Sequence, residues 1–264
     1  GEPISDTAQV LSRYVHAVVI RYHEHEDVEE LARFSAVPVI NALTNRFHPC
    51  QLLADLMTIR EYGGQLDGVP VAYLGDGASN MALSWVIAAR LAGIDLRIGA
   101  PVGYQPGEDL LGAGRGHGSV TVTDDAAAAV KDAQFVYTDV WVSMGFEAEA
   151  EQRLRDLQPY QVNAELLQLA DPEARVMHCL PTYRGKEITG DVLDGEQSIV
   201  WDQAENRLHA QKAVLAKLVE KSAVIPRWSF SDRRRRSRTR PPARNSGRTR
   251  RWRRRPRLPT SSKR

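Results

Sequence analysis

A histidine followed by proline, cysteine and glutamine, in Phe47-His48-Pro49-Cys50-Gln51, is one of the stretches whose residue types could do chemistry. Proline suits the first turn of a helix, where its missing N–H is not needed. The free N–H groups at such an end can hold an anion or a polarised carbonyl. A histidine there can donate a hydrogen bond to a carbonyl oxygen as charge develops on it; the plainer alternative is a helix cap. Arg21 follows an apolar run and could grip a carbonyl or phosphate oxygen, although a lone arginine at a strand end is more often a solvated charge.

Three further stretches offer ligand-binding groups. Gly75-Asp76-Gly77-Ala78-Ser79-Asn80 comes close to a dinucleotide fingerprint but ends in asparagine, which can cap a helix or grip a carboxylate instead. Asp139 ends an apolar run and could pair with an ammonium group, with Ser143 and Met144 close enough for a loop to fold over the same ligand; a helix-capping acid is the simpler role. In His178-Cys179-Leu180-Pro181, Cys179 could be a thiolate nucleophile or ligand, or a small buried apolar residue. There is no Cys-x-x-Cys and no second histidine at ligand spacing, so no metal is expected. His23 and His25 lie among Glu24, Glu26 and Asp27 and read as a solvated loop.

These residues need elements to position them. Apolar runs without strict alternation predict strands over residues 16–20, 37–40, 69–74, 96–99, 120–123, 135–138, 175–178 and 199–201, covered on both faces. Helical patterns fall between them, over residues 28–34, 48–62, 80–92, 126–132, 147–157, 164–169 and 204–222. The alternation predicts an α/β fold with a doubly wound parallel sheet. In such sheets ligands bind beyond the carboxyl ends of the strands, which is where Arg21, Gly75–Asn80, Asp139–Gly145 and Cys179–Pro181 would lie.

The 264 residues are enough for one large or two smaller domains with a sizeable core. Two cysteines make no disulfide framework, no run of about 18 apolar residues would span a membrane, and the first residues do not look like a signal peptide. A cytoplasmic protein is expected. The net charge of +2 hides two opposed parts: residues 223–264 hold sixteen Arg, one Lys and one Asp (+16), leaving 18 basic and 32 acidic residues (−14) in residues 1–222. The segment 223–264 is rich in Arg, Pro, Ser and Thr and is expected to be disordered. It reads as a frameshifted GC-rich stretch or as an arm that could bind nucleic acid non-specifically.

Together the motifs resemble the aspartate/ornithine carbamoyltransferase family, and its ornithine-specific branch. The resemblance rests on the ordered appearance of Phe-His-Pro-x-Gln, Asp-x-x-x-Ser-Met-Gly, His-Cys-Leu-Pro and Asp202-Gln203-Ala204-Glu205-Asn206-Arg207-Leu208-His209 across residues 1–222. It implies two doubly wound parallel-sheet domains, the first largely missing here. The divisions expected are residues 1–47 as a remnant of the carbamoyl-phosphate domain, 48–62 as an interdomain helix, 63–203 as the ornithine domain and 204–222 as a helix returning to the first domain. It also implies a homotrimer and no cofactor. By the same resemblance Arg21, His48, Pro49, Cys50, Gln51, Cys179, Leu180 and Arg207 bind carbamoyl phosphate, with Arg21, His48 and Cys179 the catalytic set. Asn80, Asp139, Ser143 and Met144 bind L-ornithine.

The family's Ser-x-Arg-Thr-Arg phosphate loop does not precede His48; Ser237-Arg238-Thr239-Arg240 echoes it in the wrong context. The expectation is therefore an N-terminally shortened chain with an exposed apolar sheet edge and weak or absent turnover. The rival acceptors are aspartate, putrescine and acetylornithine; a dicarboxylate would need added arginine in the loops after Asp139 and His178. A nucleotide-binding oxidoreductase would use Gly75–Asn80 with Asp95 on the ribose, and a nucleic-acid binder would use the basic segment.

Overall fold

The computed structural model describes residues 1–221 except 113–115 and 143–144, together with the side chain of Glu147. The basic segment 223–264 lies outside these residues, as do Ser143, Met144 and Ser222.

The chain opens with α1 (Ile4–Tyr14), an amphipathic helix absent from the predicted elements, which buries only Ala8. Asp6 in its first turn and Arg13 in its last complement the helix dipole. Next come β1 (Val18–Arg21), α2 (His25–Phe34) and β2 (Val39–Leu43). The two strands run parallel, Val18 opposite Val39, and form a two-stranded sheet among the described residues. Val19 on β1 is 58% exposed. His25 is not in a solvated loop. It opens α2 and is largely buried, with Nδ1 3.1 Å from the Thr44 hydroxyl and its ring edge-on to Phe47.

α3 (Pro49–Gly63) starts with Pro at its first turn and stops at Gly64, whose φ of 76° is left-handed and suits a residue without Cβ. The larger sheet follows in β–α order: β3 (Pro70–Leu74), α4 (Asn80–Ala92), β4 (Asp95–Gly99), α5 (Glu108–Gly112), β5 (Ser119–Thr123), α6 (Ala126–Val130), β6 (Phe135–Thr138), α7 (Ala150–Leu157), α8 (Ala164–Leu167), β7 (Arg175–His178), α9 (Gly190–Leu193) and α10 (Val200–Lys221). Ser79 caps α4 by accepting from the Ala82 N–H, and Asp125 caps α6 by accepting from Ala127 and Ala128.

All five strands are parallel, in the spatial order β5-β4-β3-β6-β7. The winding reverses between β3 and β6, and the crevice at such a reversal is where open α/β sheets bind ligands. Alternate residues of β3 feed two cores. Val71 and Tyr73 pack with Leu52, Ile59 and Trp85, while Ala72 and Leu74 pack with Val130, Val176 and Leu193.

The strand expected over 199–201 is instead the entry to α10. Backbone pairing with β7 lasts briefly, with Val176 N–H to Gln197 O (2.8 Å) and Ile199 N–H to Val176 O (3.0 Å). Val200, Gln203, Asn206 and Ala210 are then buried at helical spacing, so the apolar run belongs to a helix face. α10 packs along α3: Asn206 donates to Thr58 Oγ1 (3.0 Å) and Glu61 Oε2 (2.6 Å), and Tyr62 donates to Asp202.

Leu74 is fully buried at the carboxyl end of the central strand. Leu74→Ala is expected to cost about 2–5 kcal/mol, seen as a lower urea midpoint at unchanged m-value.

Candidate active site

The Phe47–Gln51 stretch does open a helix. His48 occupies the N-cap position, but its side chain makes no capping bond. Its backbone N–H donates to Ser84 Oγ at 2.7 Å, and Ser84 in turn donates to the Asn80 carbonyl at 2.6 Å. The imidazole is 8% exposed, and its Nδ1 is buried without a hydrogen-bond partner. Burial, then the positive charges of Arg207 and Arg21, lower its pKa to about 4. His48 is therefore neutral near pH 7 and flanked by two guanidinium groups. Arg21 comes from the end of β1 and Arg207 from α10, where it donates to Gln51 Oε1.

Cys50 departs from expectation. Its thiol donates to the Asn41 carbonyl of β2 at 3.3 Å, and burial raises its pKa. The side chain faces the first sheet, so any part Cys50 takes in the site falls to its backbone.

Asp139 and Cys179 meet at the ends of β6 and β7. Cys179 Sγ donates to Asp139 Oδ1 at 2.9 Å, and the same oxygen accepts the Val140 N–H at 2.7 Å. Burial raises the pKa of Asp139; burial and then the Asp139 charge raise that of Cys179 well above a free thiol. Cys179 is thus a protonated donor, which removes the thiolate nucleophile considered from sequence. Asp139, His178 and Cys179 place possible metal-ligand atoms within 4.8 Å of one another. The thiol proton is given to Asp139, however, and His178 Nδ1 already accepts the Leu180 N–H at 2.9 Å.

Asn80 is not the α4 cap, a role Ser79 fills. Its Nδ2 donates to the Thr44 carbonyl, just past β2, at 2.8 Å. Asp95 opens β4 and is held by Arg97 and Ser119. Asp95 is paired with Pro70 at the amino end of the strands, whereas Gly75–Asn80 follow the carboxyl end of β3, so the ribose contact of the oxidoreductase reading is not available.

Several residues missed in the sequence join these groups. Asp55 is completely buried; Gln51 Nε2 donates to its Oδ1 at 2.8 Å and Gln203 Nε2 at 2.7 Å. Gln203 Oε1 accepts the His178 N–H at 2.9 Å. A polar chain therefore runs from Arg207 through Gln51, Asp55 and Gln203 to the end of β7. The sequence carried a signal in the i, i+4 spacing of Gln51 and Asp55, which puts them on one helix face. On the other side, Arg153 Nη1 donates to Asp76 Oδ2 at 2.6 Å, and its guanidinium lies over Phe146 at 3.9 Å and Tyr104 at 5.3 Å. This pair pins the loop after β3 to the segment just past residues 143–144.

His48, flanked by Arg21 and Arg207, and the pair Asp139–Cys179 at the ends of β6 and β7 are the two groupings the structure presents. Residues 1–61 match the carbamoyl-phosphate-binding domain of the aspartate/ornithine carbamoyltransferases, and residues 67–218 match their aspartate/ornithine-binding domain. The chain belongs to the aspartate/ornithine carbamoyltransferase family, whose members are transferases. Its similar relatives are named for ornithine. An ornithine carbamoyltransferase of Archaeoglobus fulgidus is 52% identical over 226 residues, covering 85% of this chain and 73% of the relative. The solved enzyme of Pyrococcus furiosus superimposes with a TM-score of 0.78 at 51% identity, over 86% of this chain and 72% of that one. The Thermus thermophilus enzyme gives 0.76 at 45% identity, over 83% and 72%.

Two opposed pH effects on stability are expected. His48 falls from 6.5 to about 4 on folding, so between those values unfolding takes up a proton and stability drops as pH falls. Asp55 rises from 3.8 to about 7, so folding retains a proton in that window and stability drops as pH rises through it. In urea unfolding across this range, His48→Gln should remove the acid-side decline and Asp55→Asn the decline toward neutrality. Separately, Arg153→Ala would leave buried Asp76 unpaired and is expected to cost about 3–5 kcal/mol, read from the same titrations at pH 7.

Proposed function

We propose that this chain transfers the carbamoyl group of carbamoyl phosphate to the δ-amino group of L-ornithine, giving L-citrulline and phosphate. The observation that carries it is a neutral, buried His48 between Arg21 and Arg207, together with Asp139 at the facing strand ends. In this reading residues 1–47 and the start of α3 form the carbamoyl-phosphate half, residues 63–203 form the ornithine half, and α10 returns Arg207 to the first half. The active enzyme is a cytoplasmic homotrimer of arginine biosynthesis.

Arg21, Arg207, Gln51 and the first-turn N–H groups of α3 take the phosphate. His48, being neutral, keeps one N–H to donate to the carbamoyl oxygen, and Arg21 adds positive charge beside it. Asp139 pairs with the α-ammonium of ornithine, assisted by Asn80, Ser143 and Met144, while Cys179 and Leu180 line the path of its side chain.

The amine must attack uncharged, although in water its pKa lies near that of lysine, about 10.4. Desolvation in the closed cleft lowers that value. The nitrogen lone pair bonds to the carbamoyl carbon, and the carbonyl oxygen takes up negative charge held by Arg21 and His48. As the tetrahedral intermediate collapses, the C–O bond to phosphate breaks and the nitrogen's surplus proton leaves with the phosphate. The carbamoyl group is activated by its phosphate, so the proposed reaction uses no metal or cofactor.

The test is citrulline formation from carbamoyl phosphate, with ornithine, aspartate, putrescine and acetylornithine as acceptors. Ornithine-dependent product is expected, and His48→Ala should lower it by roughly 100-fold or more. If the chain is silent, turnover regained on supplying an upstream segment with Ser-x-Arg-Thr-Arg supports the same site. Failure of both arms would overturn the ornithine assignment.

A further inference from the structure

His178 and Glu187 are both essentially inaccessible to solvent, and His178 Nε2 lies 3.4 Å from Glu187 Oε1. Neither has a place in the proposed chemistry, yet a buried carboxylate beside a buried imidazole is costly unless it organises something. What it organises is the turn after β7. The Leu180 backbone N–H donates to His178 Nδ1 at 2.9 Å, and the Tyr183 N–H donates to Glu187 Oε1 at 2.5 Å.

A backbone amide can only donate, so Nδ1 carries no proton. The ring hydrogen of the neutral imidazole must then sit on Nε2, facing Glu187. Glu187 lies on that side of the ring, 3.4 Å from Nε2 and outside hydrogen-bond geometry, so its effect on the tautomer that accepts from Leu180 is electrostatic. The acceptor is needed because Leu180 has a φ of 55°, a left-handed conformation that costs a residue with a Cβ about 1–2 kcal/mol. Between the two held amides stand Pro181 and Thr182, and immediately before the first stands Cys179, whose thiol reaches Asp139.

We infer that His178 and Glu187 form a positioning dyad that holds the 179–183 turn, setting Cys179 and Leu180 against Asp139 and so shaping the pocket for the acceptor's side chain. The inference rests on the proposed ornithine reading for its substrate, but its geometry does not. The dyad acts through the Leu180 and Tyr183 amides and touches no reacting atom.

Paired substitutions separate this from a general packing role. Asparagine can place an amide oxygen where His178 Nδ1 lies, whereas glutamine reaches toward Nε2 and leaves Leu180 unpaired. Likewise Glu187→Gln keeps the oxygen that accepts from Tyr183, and Glu187→Leu removes it. H178Q and E187L are expected to raise the KM for ornithine roughly tenfold or more, while that for carbamoyl phosphate stays within about twofold. H178N and E187Q should stay within about threefold of the parent on both.

The second readout is alkylation by iodoacetamide, located by mass spectrometry. H178Q should speed modification of Cys179 roughly tenfold through local opening, with Cys50 unchanged and H178N like the parent. If H178N and H178Q behave alike in both readouts, or if losses merely track the drop in Tm across all four variants, the dyad is overturned. Should the parent fail to use ornithine while the alkylation pattern appears, the substrate reading fails and the dyad stands.

Discussion

Asp55 has no access to water, and its environment sets the orientation of much around it. A carboxylate there is tolerated because two carboxamides, Gln51 from its own helix and Gln203 from α10, both donate to one of its oxygens. That arrangement fixes direction as well as contact. With Nε2 of Gln51 turned inward, its Oε1 must face outward, where it meets Arg207. With Nε2 of Gln203 turned the same way, its Oε1 meets the His178 N–H at the last residue of β7. One buried acid therefore imposes a consistent donor-to-acceptor sense on both halves of the cleft.

The cleft's charge follows from where its groups lie relative to the sheet. Guanidinium groups gather on the first-lobe side, and burial beside them keeps His48 neutral. On the opposite side Asp139 is buried and Cys179 is held as a thiol. Among the described residues the site thus presents donors and fixed charge, with its cysteine held as a donor to Asp139.

Much of the architecture was legible because parallel strands buried on both faces leave unbroken apolar runs. The predicted helix over residues 80–92 matches α4, and the predicted strands over 135–138 and 175–178 match β6 and β7. α1 is amphipathic, so its pattern is present in the sequence although absent from the predicted elements; in the structure it buries a single alanine. The other failures have physical causes. Residues 198–199 do pair with β7 before the chain winds into α10, so a β-like run concealed a helix start. In the site, Arg21, His48, Asp139 and Cys179 declare themselves by position at strand or helix ends. Asp55, Gln203, Ser84 and Glu187 do not, because their roles depend on partners 36 to 148 residues away or on backbone amides. Cys50 misled for the reverse reason: it sits within a recognisable motif but points at β2.

One consequence follows from the bond between the Asn80 amide and the Thr44 carbonyl. Thr44 takes one of the two Nδ2 hydrogens, and that bond fixes the plane of the amide and the directions in which its second hydrogen and its Oδ1 point. The orientation of a side chain at the start of α4 is thus set by a carbonyl just past β2. A small change in the spacing of these two segments would turn the amide, and with it the groups it offers, with no substitution at Asn80 itself.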